Sequence, residues 1–228
     1  MNTLTDRLKN INMEKSKENV LVAGANGTTG KQVVSYLKES QYFNPIAMVR
    51  KEEQQEQFKI QDIDTVLGDL EKELSHVVKG VDKVIFAAGS GGHTGPEKTT
   101  AVDQEGAKSL INAAKNAGVK KFVMLSSINA DNPESSTTLR HYLEAKRNAD
   151  NYLKKSGLVY TIVRPGTLKN ETGTRKIEAA IDVEPGEITR DDVAYTLVHV
   201  LNDDVAQNAV FEMIEGDERI EDAIKQMF

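Results

Sequence analysis

Tyr142 and Lys146, four residues apart in "YLEAK", are the pair in this sequence best suited to moving a proton. On a helix, residues at that spacing share a face. A phenol titrates near ~10, too weak an acid to exchange a proton efficiently with an alcohol oxygen at neutral pH. An adjacent lysine ammonium stabilises the phenolate, so Tyr142 could act as a general acid or base. The same spacing also fits plain packing. Tyr142, Ala145, Ala149, Tyr152 and Leu153 form a helical stripe that a core would bury, with Lys146 along its edge, stem covered and head in water.

A second constellation suits binding. The stretch "VLVAGANGTTGKQVV" (20–34) sets Gly24, Gly27 and Gly30 three apart, between an apolar strand pattern and an amphipathic helix pattern. That context aims helix N–H groups at a pyrophosphate. Gly24 allows the tight turn past Ala25, Gly27 lets backbone approach the phosphates, and Gly30 lets the helix pack closely on the strand. Asn26, Thr28 and Thr29 add side-chain donors. A P-loop is excluded, because it needs glycine at 25 and Ser or Thr at 32, where Ala25 and Gln32 stand. The plainer alternative is a glycine turn that serves only strand-to-helix geometry.

The next apolar run, "IAMVRKEE", ends on Arg50 and Lys51. An NAD site usually places an acid there for the ribose 2′-hydroxyl, whereas a 2′-phosphate takes arginine. Two cations therefore predict NADP(H) in preference to NAD(H). A solvated charge pair beside Glu52 and Glu53 is the alternative.

These residues need elements to carry them. Short apolar runs predict strands near 19–24, 45–49, 63–67, 81–88, 119–126 and 158–164. Helical patterns lie between them, near 29–40, 51–60, 70–79, 97–117 and 139–156. The alternation predicts an α/β, Rossmann-type doubly wound fold on a mainly parallel sheet. Beyond Gly166 the pattern weakens to loop and short strand over 172–189, then helix near 190–201, strand near 209–214 and helix near 218–226. We expect one domain over 19–228, with 167–228 forming a small substrate-side lobe. Residues 1–18 read as a mobile leader, with Leu4, Leu8 and Ile11 at helical spacing and Met13 as an alternative start.

Composition narrows the partners. With 29 Lys+Arg against 35 Asp+Glu the net charge is −6, which weighs against nucleic acid. No cysteine is present, so disulfides, thiolate catalysis and Cys-ligated metals are excluded, and a reducing, cytoplasmic setting is expected. No run is long and apolar enough for a bilayer, and no signal peptide is visible. His76, His141 and His199 lack metal spacing, so no metal is expected; His93 reads as a solvated loop residue.

At this point the chain resembles the short-chain dehydrogenase/reductase superfamily, in its atypical, NmrA-like, epimerase-like NAD(P)-binding branch. The marks are "GANGTTG", "MVRKEEQ", "GDL" (68–70), "VDKVIFAAG" (81–89), "VKKFVMLSS" (119–127), "YLEAK" (142–146), "SGLVYTIVRPGTL" (156–168) and "ITRDDVA" (188–194). The resemblance implies that Asp69 and Leu70 border the adenine, and that Ala87, Ala88 and Gly89 line the ribose and phosphate path. Pro165 and Gly166 would lie beside the nicotinamide. Ser127, or Ser126 beside it, would hold a substrate carbonyl, completing a serine–tyrosine–lysine set with Tyr142 and Lys146. Gly24, Arg50, Asp69, Gly89, Ser127 and Pro165 each fall at the carboxyl end of an expected strand, the edge where open α/β sheets bind ligands.

Two departures matter. Asp103 stands where fuller enzymes of the family carry an asparagine, and only about sixty residues follow Pro165. The leading expectation is an NADPH-dependent oxidoreductase acting on a small carbonyl or quinone-like substrate. An NADP(H) sensor acting on a regulatory protein partner is the alternative, and sugar-nucleotide epimerase or dehydratase chemistry comes third. The segment "ETGTRK" (171–176) reads as a mobile strap over the pocket.

Overall fold

The computed structural model describes residues 17–91 and 94–228. The readings of Leu4, Leu8, Ile11, Met13 and His93 lie outside the described residues. Six parallel strands form the frame: β1 (Glu18–Ala23), β2 (Phe43–Val49), β3 (Asp64–Leu67), β4 (Lys83–Phe86), β5 (Lys121–Leu125) and β6 (Tyr160–Pro165). Their order, β3-β2-β1-β4-β5-β6, reverses at β1. All six therefore end on one edge, and the crevice at the reversal opens there.

The C-terminal part extends this sheet. After β6 come β7 (Thr167–Lys169), β8 (Lys176–Ala180), β9 (Glu187–Thr189), β10 (Ala209–Glu215) and β11 (Glu218–Arg219). Strand β10 joins β6 in parallel; β8 then pairs antiparallel with both β10 and β11. Only β7 and β9 form a separate two-stranded sheet. Residues 167–228 are thus largely a continuation of the nucleotide-type sheet. Among the described residues no helix is long and apolar enough to cross a membrane.

Helices cover both faces. Helices α1 (Thr28–Glu39), α6 (Arg190–His199) and α7 (Ile220–Met227) contribute to one core, packed on Val20 and Val22 of β1. A long helix of α3 (Pro96–Thr99), a π-helical stretch (Thr100–Gly106) and α4 (Ala107–Asn116) lies on the other, with α5 (Arg140–Lys154), against Leu21 and Ala23. Strands buried on both faces need apolar residues at every position, which is why their sequences show runs rather than alternation.

Two expected helices differ. The 51–60 pattern is realised as a 3₁₀ turn (Glu52–Gln54) and a single helical turn, α2 (Glu56–Lys59). The helix expected over 70–79 is absent, replaced by turns. Leu74, Val77 and Val78 are buried at helix-like spacing, but the backbone makes separate turn bonds, such as Lys72 N to Asp69 O (2.8 Å) and Val77 N to Leu74 O (3.2 Å), and side chains take further backbone groups. Asp69 Oδ1 accepts from Glu71 N at 3.1 Å, Glu73 Oε1 accepts from Ser75 N, and His76 Nε2 meets Leu67 O at 2.8 Å. Such local bonds compete with a helix ladder.

The amino edge is closed by two buried lysines in register, Lys83 on β4 and Lys121 on β5. Lys83 Nζ donates to Leu201 O at 2.9 Å and pairs with Glu18 and Asp203. Lys121 Nζ donates to Asn202 O at 3.0 Å and Val205 O at 2.7 Å. Both ammoniums satisfy carbonyls just beyond the C-terminus of α6, where helices leave acceptors unpaired and favour cations.

Candidate functional site

The glycine loop turns where β1 meets α1. Gly24 has φ +88°, and a Cβ there would lie 2.6 Å from Ala88 N, so only glycine fits between β1 and the end of β4. A Cβ on Gly30 would lie 2.1 Å from Gly24 O, which brings α1 directly onto the turn. Gly27 caps α1 without a side-chain bond, and the first intrahelical bond runs from Lys31 N to Gly27 O at 2.9 Å. The amides of Thr28, Thr29 and Gly30 thus precede the ladder, beside an exposed Gly27 that carries no Cβ. A pyrophosphate fits that cradle.

The flanking residues differ in exposure. Ala25 is buried beneath the turn and Thr29 is largely buried, while Asn26 and Thr28 are exposed. Asn26 Oδ1 accepts from Gln57 Nε2 at 2.6 Å, which ties the loop tip to α2. At the end of β2, Gln54 Oε1 accepts from the backbone N–H of both Arg50 (3.0 Å) and Lys51 (3.1 Å). Lys51 Nζ pairs with Glu53 at 3.4 Å, whereas the exposed Arg50 side chain has no ion pair among the described residues. Asp69 and buried Leu70 follow β3, and Ala87, Ala88 and Gly89 follow β4 on the same edge.

The proton-moving pair lies at the adjoining strand ends. Tyr142 is half-buried on α5, and Lys146 is almost fully buried, 3% exposed. The edge-lying, solvated Lys146 allowed by the sequence is therefore not what forms. Its Nζ lies 5.5 Å from the Tyr142 ring centroid, 3.1 Å from Asp103 Oδ1, and donates to Leu125 O at 3.3 Å. Burial alone would lower this ammonium, but Tyr142 and Asp103 outweigh it and hold its pKa above the ordinary lysine value. Asp103 lies in the π-helical stretch, and its Oδ2 accepts from Ser90 N at 2.9 Å. A π insertion swings a residue out of helical register, a geometry common at functional sites. Gly89 lies close to this carboxylate, since a Cβ there would stand 3.2 Å from Asp103 Oδ1.

The two serines divide. Ser127 is part-buried just past β5, its Oγ donating to Ile128 O at 3.2 Å. Ser126 is buried and its Oγ donates to Asp150 Oδ2 at 2.9 Å, so its hydroxyl turns into the core rather than toward a ligand. Pro165 O accepts from Ile128 N at 3.0 Å, holding the Ser127 loop beside β6. Gly166 is buried against Gly186, whose carbonyl a Cβ would reach at 2.3 Å.

The sequence reading missed Asp150, Arg164 and Glu212. All three are buried polar residues in elements whose inward faces are mostly apolar. Burial raises Asp150 above the ordinary carboxylate range, against the pull of Arg164 and Ser126. Burial also raises Glu212. The available signals were Asp150 four residues after Lys146, and Arg164 directly before Pro165 in an apolar strand.

Segment 171–176 is not a mobile strap. Gly173 N donates to Asp191 Oδ2, and Thr174 N and Arg175 N donate to Asp192, all within 2.9 Å. Arg175 packs against Tyr36 and Tyr195, 5.2 and 4.7 Å from their centroids, and pairs with both aspartates. Tyr36 bonds to Asp191 and to Arg175, which pins the segment to α1 and the start of α6.

The NAD(P)H-binding family matches residues 24–204. The uncharacterized sugar epimerase YhfK of Bacillus subtilis is 44% identical over 212 residues, 91% of this chain and 99% of its own. A solved structure from Bacillus halodurans, provisionally assigned as an NAD-dependent epimerase/dehydratase, superposes with a TM-score of 0.88 at 40% identity, covering 92% of this chain and 100% of that one. Sanguinarine reductase of Eschscholzia californica is 29% identical over 257 residues, 92% of this chain and 93% of its own.

Proposed function

The chain belongs to the NAD(P)H-binding family, and from that premise we propose that it is an NADP(H)-dependent reductase of a small carbonyl or quinone-like acceptor. The observation that carries the reading is the placement of Lys146 beside Tyr142, with Ser127 on the same strand edge as the glycine cradle. The full-length similarity to a protein named as a reductase supports it.

Reduced nicotinamide, when bound, would supply the hydride. The amides at the start of α1 would hold the pyrophosphate, and Arg50 would meet the 2′-phosphate. Ser127 Oγ turns from its Ile128 bond to donate to the acceptor oxygen. Tyr142 Oη gives that oxygen a proton as negative charge develops on it, and the Lys146 ammonium stabilises the phenolate left behind. Tyr142→Phe removes the proton donor and keeps the ring, so it should lower kcat by about a hundredfold or more while NADPH still binds. NADPH oxidation across a panel of carbonyls and quinones measures this, and unchanged turnover in the variant sinks the mechanism.

One observation favours a second reading. Asp103, 3.1 Å from Lys146, offsets the positive charge that such a mechanism uses. An NADP(H) sensor that alters its affinity for a protein partner needs no active proton donor. Cofactor binding without turnover, with partner affinity that differs between bound and free forms, would support it. Epimerase or dehydratase chemistry, in the names of two relatives, ranks third because residues 167–228 chiefly extend the main sheet.

A further inference from the structure

Below Tyr142 and Lys146 lies a buried ionic cluster that the proposed chemistry does not touch. Asp150 is one helical turn after Lys146 and two after Tyr142, so the three residues follow one another along a face of α5. It is 0% exposed. Its Oδ2 accepts from Ser126 Oγ at 2.9 Å and from Arg164 Nε at 3.1 Å, and Arg164 Nη2 lies 3.1 Å away in the same ion pair. Its Oδ1 is buried with no hydrogen-bond partner among the described residues. Arg164 Nη1 reaches Asp131 at 3.0 Å. Glu212, register partner of Arg164 on β10, accepts from Asn129 N at 3.1 Å and so holds the loop that follows Ser127.

Fold stability alone does not call for these charges. Two residues earlier on the same strands Met124, Ile162 and Val210 form ordinary apolar core. Replacing buried ions by well-packed apolar residues is often neutral or stabilising. The cluster instead joins the three elements that bear the candidate chemistry: the end of β5 through Ser126, the residue before Ser127; α5 through Asp150, one turn from Lys146; and β6 through Arg164, the residue before Pro165. Lys146 also needs such a support. Its contact with Asp103 Oδ1 lacks hydrogen-bond geometry, that oxygen being unpartnered as well, and its bond to Leu125 O is long at 3.3 Å. Asp103 acts on the ammonium at 3.1 Å from the π-helical stretch, and Asp150 adds a weaker pull from one turn further along α5.

We propose that Asp150 is a positioning residue: clamped by Ser126 and Arg164, it fixes the Lys146 ammonium beside Tyr142 and sets the Ser127 end of β5 against β6. It touches neither substrate nor cofactor. This rests on the reductase reading for its kinetic consequence, but the placement of Lys146 is testable without turnover.

The test is Asp150→Asn, which keeps the shape and one acceptor but removes the charge. We expect kcat to fall by about tenfold to a hundredfold, with KM for the acceptor and Kd for NADPH within about twofold, and the pH–rate profile displaced. In parallel, the side-chain ¹⁵Nζ resonance of Lys146, identified by its loss in Lys146→Met, should move, and its titration midpoint should fall. Should Asp150→Asn not fold, Ser126→Ala removes a single tether and is expected to move the same resonance in the same direction. If the wild-type protein reduces no acceptor, the reductase reading fails, and the Lys146 resonance alone decides the positioning role. A folded variant with an unmoved resonance overturns the proposal. So does an active one with unchanged kcat and pH profile.

Discussion

Asp103 Oδ1 and Lys146 Nζ stand 3.1 Å apart with both side chains shut away from solvent. Each ion makes the other tolerable in the interior. Removing one strands its partner, which typically costs about 3–5 kcal/mol. Asp103→Asn and Lys146→Met should each destabilise the fold by roughly that amount. The double variant should lose less than their sum, with a coupling of about 2 kcal/mol. Urea unfolding of the four proteins measures the cycle. Additive losses would mean that Asp103 and Lys146 do not act as a pair.

Gly27 separates the cradle's binding role from its folding role. A Cβ on Gly24 or Gly30 meets backbone well inside contact distance, but on Gly27 it meets only Gly24 O, at 3.2 Å. Gly27→Ala needs a shift of only a few tenths of an ångström there, so it should cost far less stability than alanine at Gly24 or Gly30. The added methyl stands where phosphates must approach, so NADPH affinity should drop by about tenfold or more. Fluorescence titration and thermal unfolding together check this. Equal affinity in the variant would leave the loop as a strand-to-helix turn and nothing more.

What the sequence showed and hid follows from the range of the interactions involved. The cradle was legible because its demands are local: a positive φ at Gly24 and a close approach at Gly30 can be met only by glycine. The shared edge was legible because runs such as "VLVAG" and "FVMLSS" mark buried parallel strands, and parallel strands end together. The 70–79 turns were not, since Leu70, Leu74, Val77 and Val78 are buried at helical spacing while separate turn bonds and the side chains of Asp69, Glu73 and His76 take the backbone groups. Segment 171–176 has the composition of a loop, and nothing within it announces that Asp191 and Asp192 take its amides. Likewise, whether Lys146 ends in water depended on Asp103, more than forty residues earlier and turned inward by a π-helical stretch.

Cofactor choice should rest on Arg50. Its side chain is exposed at the end of β2 with no ion pair among the described residues, whereas neighbouring Lys51 is engaged by Glu53. A guanidinium on a 2′-phosphate forms charge-assisted bonds worth about 1.5–3 kcal/mol. Arg50→Ala should weaken NADP(H) binding by about tenfold to a hundredfold and leave NAD(H) nearly unchanged. Calorimetric titration with both cofactors gives the ratio. If wild type binds NAD(H) at least as tightly as NADP(H), the preference is wrong whatever the variant does.

Lys121 should make the fold more stable in mild alkali. Burial, reinforced by the Lys83 ammonium in register beside it, pushes its pKa down to about 8 from the ordinary 10.5. Between those values the unfolded chain binds a proton at this site that the folded chain has released. Stability contributed by Lys121 therefore rises as pH increases through about 8, and the gain approaches about 2–3 kcal/mol by pH ~10, less whatever the Asn202 and Val205 carbonyls return to the charged form. Tyr36, pushed up to about 12 chiefly by burial and by its bond to Asp191, acts oppositely, since its folded form keeps a proton that the unfolded chain loses above about 10. The window to examine is thus pH 8 to 10. Urea midpoints across it should climb in the wild type and stay flat in Lys121→Met. A wild-type curve as flat as the variant's would show that Lys121 keeps its proton, held by the two carbonyls beyond α6.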